Sequence, residues 1–124
     1  MDKKDAVILL VEDEPEILES ASLYLSEMGY KVHSAETAVD AINKLRNQKY
    51  NVVVLDYKLK KGTGEEVLAK MRAAKQLNEN TPTIVTSGFL DKDLVARIGK
   101  LIQAALVKPY NLEQLETLIA KLNK

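Results

Sequence analysis

Three acids, a lysine and two hydroxyls stand where apolar runs of this chain stop. AVILLV (6–11) runs into Glu12-Asp13, and VVVL (52–55) runs into Asp56. TIV (83–85) ends on Thr86-Ser87, and AALV (104–107) ends on Lys108. Were these side chains neighbours, the carboxylates would repel, by roughly 4 kcal/mol for two charges ~4 Å apart at an effective dielectric near 20. A cation must then compensate. Lys108 is one candidate and a hard divalent ion is the other; an oxygen-only donor set suits Mg²⁺. Such a pocket, with an ammonium and a hydroxyl beside it, suits a small tetrahedral oxyanion such as phosphoryl. Asp56 is then either a metal ligand only or a nucleophile that forms an acyl phosphate. Each residue also has a plainer reading. Glu12-Asp13 could be acids favoured at a helix N-terminus, Thr86 and Ser87 could cap a turn, and Lys108 could be a solvated strand end.

The elements that would bring these residues together can be read from the apolar spacing. Residues 6–11 are a short apolar run without polar alternation, as expected of a strand covered on both faces, and VVVLD (52–56), TPTIVTSG (81–88) and AALVKP (104–109) are read as strands three to five. YKVHSA (30–35) is a further short strand. Between them lie helical patterns. Ile17, Ala21, Tyr24, Leu25 and Met28 make one stripe, with Pro15 in its first turn and Gly29 as its stop. Ala38, Ala41, Ile42 and Leu45 follow a Thr37/Asp40 cap. Val67, Leu68 and Met71 predict a helix from about 65 to 75. Leu94, Val95 and Ile98 predict one over 91–100, and Leu112, Leu115, Leu118, Ile119 and Leu122 predict a last helix capped by Asn111 and Gln114. Five β-α repeats imply an α/β fold: a doubly wound, flavodoxin-like parallel sheet of strand order 2-1-3-4-5. Ligands of such sheets sit beyond the carboxyl ends of the strands, where the winding reverses between strands one and three. Glu12, Asp13 and Asp56 end those two strands.

The 124 residues suit one domain, 1–124, with no attached effector domain expected. Lys plus Arg equals Asp plus Glu at 18 each, which gives no electrostatic footprint for nucleic acid or an anionic membrane. There is no cysteine, so disulfides and thiolate metal sites are excluded. No apolar run approaches the roughly 18 residues of a membrane span, and the first apolar block is too short and too soon followed by acids for a secretory signal. A cytoplasmic protein is expected.

VEDEP, VVVLD, IVTSG and VKPY, in this order and spacing, resemble the receiver domain of two-component response regulators over about residues 5–122. Gly64, eight residues past Asp56, matches the usual loop glycine of that family. The resemblance implies that Asp56 is the phosphoacceptor, taking a phosphoryl group from the phosphohistidine of a sensor histidine kinase or phosphotransfer protein. It implies that Asp13 ligates Mg²⁺, that Glu12 holds a metal-bound water, and that the backbone carbonyl of Lys58 is a further ligand. Thr86 would hydrogen-bond the phosphoryl group and Lys108 would pair with it; the Lys108-Pro109 bond would be cis. Such a domain is not an enzyme beyond its own phosphotransfer and autodephosphorylation. It signals through a downstream protein or by passing the phosphoryl on.

The chain departs from the pattern in four places. Ala105 stands where a switch Tyr or Phe is usual, Leu59-Lys60 replaces a Met-Pro, Leu101-Ile102 replaces a Gly-Ala turn, and Lys58 puts a cation two residues past Asp56. Alanine has no ring to reorient, so the alternative is a receiver-like interaction module whose phosphorylation is uncoupled from output. A Mg²⁺-dependent phosphohydrolase with an Asp nucleophile is disfavoured, because the second acid such enzymes set two residues on is here Lys58. His33 has no ligand-spaced partner, Tyr110 is assigned to packing, and Tyr57 and Phe89 flank the site as possible gates.

Overall fold

A computed structural model describes residues 1–124. After a short 3-10 turn at Lys3–Asp5, strands and helices alternate through the chain. They are β1 (Val7–Val11), α1 (Pro15–Glu27), β2 (Lys31–Ala35), α2 (Ala38–Asn47) and β3 (Val52–Asp56). There follow α3 (Gly64–Met71), β4 (Thr83–Ser87), α4 (Lys92–Ile98), β5 (Ala104–Val107) and α5 (Leu112–Leu122). The five strands are all parallel, in the expected order β2-β1-β3-β4-β5.

Side chains alternate across a strand, so β1 and β3 supply two cores at once. Leu9, Val11, Val53, Leu55 and Val85 face α2, α3 and α4, against Ala41, Leu45, Leu68, Met71, Leu94 and Ile98. Ile8, Leu10, Val52, Val54, Ile84 and Leu106 face α1 and α5, against Ala21, Leu25, Leu115 and Ile119. This two-sided burial, at about 1.5–3 kcal/mol per enclosed aliphatic side chain, is why these strands carry unbroken apolar runs. It also leaves the polar residue at the end of each run on one rim of the sheet.

The caps form as read. Thr37 Oγ1 accepts from the Asp40 N–H at 3.1 Å, and Asn111 Oδ1 accepts from the Gln114 N–H at 3.1 Å. Two helices differ from expectation. The third ends at Met71 instead of continuing to Lys75, which adopts a positive φ of 68°. Good helix formers at 73–75 are overridden because the Arg72 side chain turns inward. It donates to the carbonyls of Leu101, Glu79 and Thr81 at 3.0, 3.0 and 2.7 Å, and so joins the 3–4 and 4–5 connections. The fourth helix spans only Lys92–Ile98 and continues as a 3-10 turn at Gly99–Leu101. Leu94 and Ile98 are buried one turn apart, whereas Val95, expected alongside them, lies 53% exposed.

Candidate functional site

Parallel registry brings the strand ends into one place. Val11 lies opposite Leu55 across β1–β3, so Glu12 and Asp56 follow as the next residues on neighbouring strands. Asp56 pairs in register with Thr86, and Ser87 with Val107, just before Lys108. Glu12 is 1% exposed, Asp56 3% and Thr86 2%, while Asp13 is partly exposed.

Lys108 Nζ sits between two carboxylates, 2.8 Å from Asp56 Oδ2 and 2.8 Å from Glu12 Oε1. Glu14 Oε1 lies farther off, at 3.8 Å. Glu12 Oε2 accepts from the Glu14 N–H at 3.1 Å, and Asp56 Oδ1 from the Lys58 N–H at 3.3 Å. Asp13 Oδ2 accepts from the Lys60 N–H. Carboxylate oxygens of Glu12, Asp13 and Asp56 lie within 4.8 Å of one another, inside the ~5–6 Å that two ligands of one Mg²⁺ can span. The cluster is oxygen-only and has one ammonium against three acids, so it fits a hard divalent cation such as Mg²⁺.

Burial pushes the Asp56 carboxyl up; the Lys108 hydrogen bond pulls it back and the Glu12 charge pushes it up again, leaving it at about 6. For Lys108, burial works against the ammonium, but hydrogen bonds to Asp56 and Glu12 more than offset this and hold it above its ordinary value. Burial, more than the neighbouring charges, is thus what raises Asp56.

The loop between β3 and α3 closes over this rim. The Gly64 N–H donates to the Tyr57 carbonyl at 2.7 Å, and Lys58 bridges to Thr63. A Cβ on Gly64 would lie 2.7 Å from the Asp56 carbonyl oxygen and 2.8 Å from Tyr57 Cα. Gly62, at φ +86°, passes so close to α2 that a Cβ would lie 2.4 Å from Ala38 Cβ. Only glycine allows this return.

Residues 8–120 match the response regulator receiver domain family. The chain belongs to that family. This receiver is 29% identical over 109 residues, 87% of its own length, to the response regulator ArlR of Staphylococcus aureus. The match takes in 48% of ArlR, so the receiver spans about half the length of the curated relatives it matches. Among solved structures, it superposes on the signal receiver domain of a LuxO repressor protein from Vibrio parahaemolyticus. There the TM-score is 0.85 at 27% identity, covering 94% of this chain and 88% of the other. It also superposes on the response regulator TrrA from Thermotoga maritima, solved in complex with Mg²⁺-BeF. That match has a TM-score of 0.81 at 27% identity and covers 94% and 98% of the two chains. The flavodoxin-like fold read from the β-α alternation is the fold of these receivers.

Of the residues singled out in the sequence, Glu12, Asp13, Asp56 and Lys108 cluster in this receiver, with the Lys58 N–H and Thr86 adjoining. Ser87 instead closes a turn, its Oγ bonded to the Phe89 backbone. Tyr110 packs on the α1/α5 core with its hydroxyl buried and unpartnered. The Lys108-Pro109 bond is cis. Two features were not read from the sequence. Glu14 approaches Lys108, and Tyr57 joins Glu65 and Arg97 in a hydrogen-bonded cluster. No helix is long and apolar enough to cross a membrane.

Proposed function

We propose that Asp56 accepts a phosphoryl group from the phosphohistidine of a sensor histidine kinase or phosphotransfer protein. An Asp56 oxygen attacks phosphorus in line, the N–P bond breaks, and the imidazole leaves with the bonding pair. Lys108, already 2.8 Å from Asp56, swings little to pair with the arriving phosphoryl oxygen, and the buried Thr86 at the adjacent strand end supplies a hydroxyl. Asp13, Asp56 and the Lys58 carbonyl would hold Mg²⁺, with Glu12 holding a metal-bound water. When bound, the ion spreads the negative charge on the phosphoryl oxygens. In autodephosphorylation water attacks phosphorus, the P–O bond to Asp56 breaks, inorganic phosphate and a proton leave to solvent, and the Asp56 carboxylate returns. Output is by docking a downstream protein or relaying the phosphoryl, in the cytoplasm.

The observation that carries this reading is the Lys108 ammonium shared by Asp56 and Glu12 at 2.8 Å, with an Asp13 oxygen within 4.8 Å of theirs. The Mg²⁺-BeF complex of TrrA, a receiver relative of the same fold, supports it. Phosphotransfer from candidate histidine kinases, in Mg²⁺ and in EDTA, tests it; transfer to Asp56→Asn would sink it. One observation favours an uncoupled interaction module instead. Ala105 is exposed on β5, beside an apolar groove of about 230 Å³ lined by Leu90, Leu94, Val95, Ile98 and Ile102. That reading requires α4 to ignore the state of Asp56.

A further inference from the structure

Tyr57 follows Asp56 in the chain, and its N–H donates to the Thr86 carbonyl at 2.9 Å. Its backbone is thus fastened to both strand ends that meet at the phosphoacceptor. Its ring packs against the α2–α4 core, and its hydroxyl reaches outward. There Tyr57 Oη donates to Glu65 Oε1 at 2.9 Å and accepts from Arg97 Nη2 at 2.5 Å, while Arg97 also meets Glu65 at 3.3 Å. Glu65 lies in the first turn of α3 and Arg97 in the last turn of α4. Arg97 thus ties α4 to Tyr57, just past β3, and to Glu65 of α3, and no other side chain of α4 hydrogen-bonds outside its own helix and cap. Tyr57 and Arg97 also wall a groove of about 490 Å³ that includes Lys58, Ser87 and Gly88.

We propose that Tyr57, Glu65 and Arg97 form a polar latch that reports the state of Asp56 to α4, in place of the aromatic ring that Ala105 lacks. The inference rests on the phosphoacceptor reading of Asp56. A tetrahedral dianion on Asp56 needs room and hydroxyl donors at the ends of β3 and β4. Movement of Thr86 carries the Tyr57 N–H with it, and a phenol oxygen displaced by about 1 Å no longer meets hydrogen-bond geometry with both partners. Arg97 and Glu65 are 52% and 43% exposed, so their pairing is weak in water. A weak pairing is suited to a switch, because a ligand shifts an equilibrium only by its differential affinity for the two states. Releasing Arg97 leaves α4 held by Leu94 and Ile98 alone, over the apolar groove beside Ala105.

The test compares the parent with Tyr57→Phe, which removes only the hydroxyl, and Arg97→Gln, which changes only an exposed side chain. Intact mass after acetyl phosphate and Mg²⁺ reports phosphorylation; amide spectra with and without Mg²⁺ and beryllofluoride report α4. All three proteins are expected to gain one phosphoryl group. The parent amides of Lys92–Ile98 are expected to shift on activation. In both variants they start displaced and shift by less than about a third of the parent change, as for an equilibrium already moved. Full-sized α4 shifts in phosphorylated variants, or none in the phosphorylated parent, would overturn the latch while leaving the phosphoacceptor intact. A parent that takes no phosphoryl overturns both.

Discussion

Asp56 is pulled in opposite directions, and its replacement separates them. Buried among apolar strands and beside Glu12, its carboxyl is raised to about 6 despite Lys108. In EDTA at pH 7 the charged form therefore costs stability, and Asp56→Asn is expected to stabilise the chain by about 1–2 kcal/mol, read by urea unfolding. The sign with pH follows from a folded value above the unfolded one near ~3.9. The contribution of Asp56 to stability is full below that value and lost as pH rises through about 6. The gap between variant and parent should accordingly narrow from pH 7 to pH 5; a gap that widens would contradict it. Lys58, exposed and two residues on, is expected to set phosphoryl lifetime, so Lys58→Asn should change the dephosphorylation rate by at least about threefold; equal rates would sink that role. The acids and Lys108 were legible because each ends an apolar run. Glu14, Glu65 and Arg97 were not, because they sit on exposed helix termini where a charge is ordinary, and only side-chain reach across loops brings them together.

The elements that hold the site depend on a few backbone approaches and on one half-buried cation, Arg72. Gly64→Ala would drive a Cβ into the Asp56 carbonyl at 2.7 Å. Overpacking of backbone is expected to cost about 1–3 kcal/mol and to displace the loop that carries Lys58, lowering Mg²⁺ affinity in a fluorescence or calorimetric titration. Unchanged stability and affinity would show that the loop has slack. Arg72 is expected to matter more for the fold than its surface-like residue type suggests. It satisfies carbonyls of residues 79, 81 and 101, so Arg72→Met should destabilise by about 3 kcal/mol without loss of phosphorylation. The same residue explains the early end of α3: periodicity reads a continuing helix through Ala73-Ala74, and only the tertiary hydrogen bonds stop it. Val95 was misplaced for a related reason. A helix of seven residues buries only the i,i+4 pair Leu94 and Ile98, and the neighbouring apolar residue falls outside that stripe.

At the scale of the whole molecule, strand order and site are one fact. Alternating units with unbroken apolar strands dictate a parallel sheet covered on both faces, and such a sheet exposes its strand ends at a reversal of winding. The sequence pattern was sufficient for this because two cores, one on each face, demand apolar residues at consecutive positions of β1 and β3. The central claim is that Glu12, Asp13, Asp56 and Lys108 form a single phosphoryl-accepting pocket. It is tested most directly by intact mass after incubation with acetyl phosphate, in Mg²⁺ and in EDTA, for the parent and Asp56→Asn. One added phosphoryl group is expected only in the parent with Mg²⁺. No addition there, or addition that survives Asp56→Asn, would contradict it.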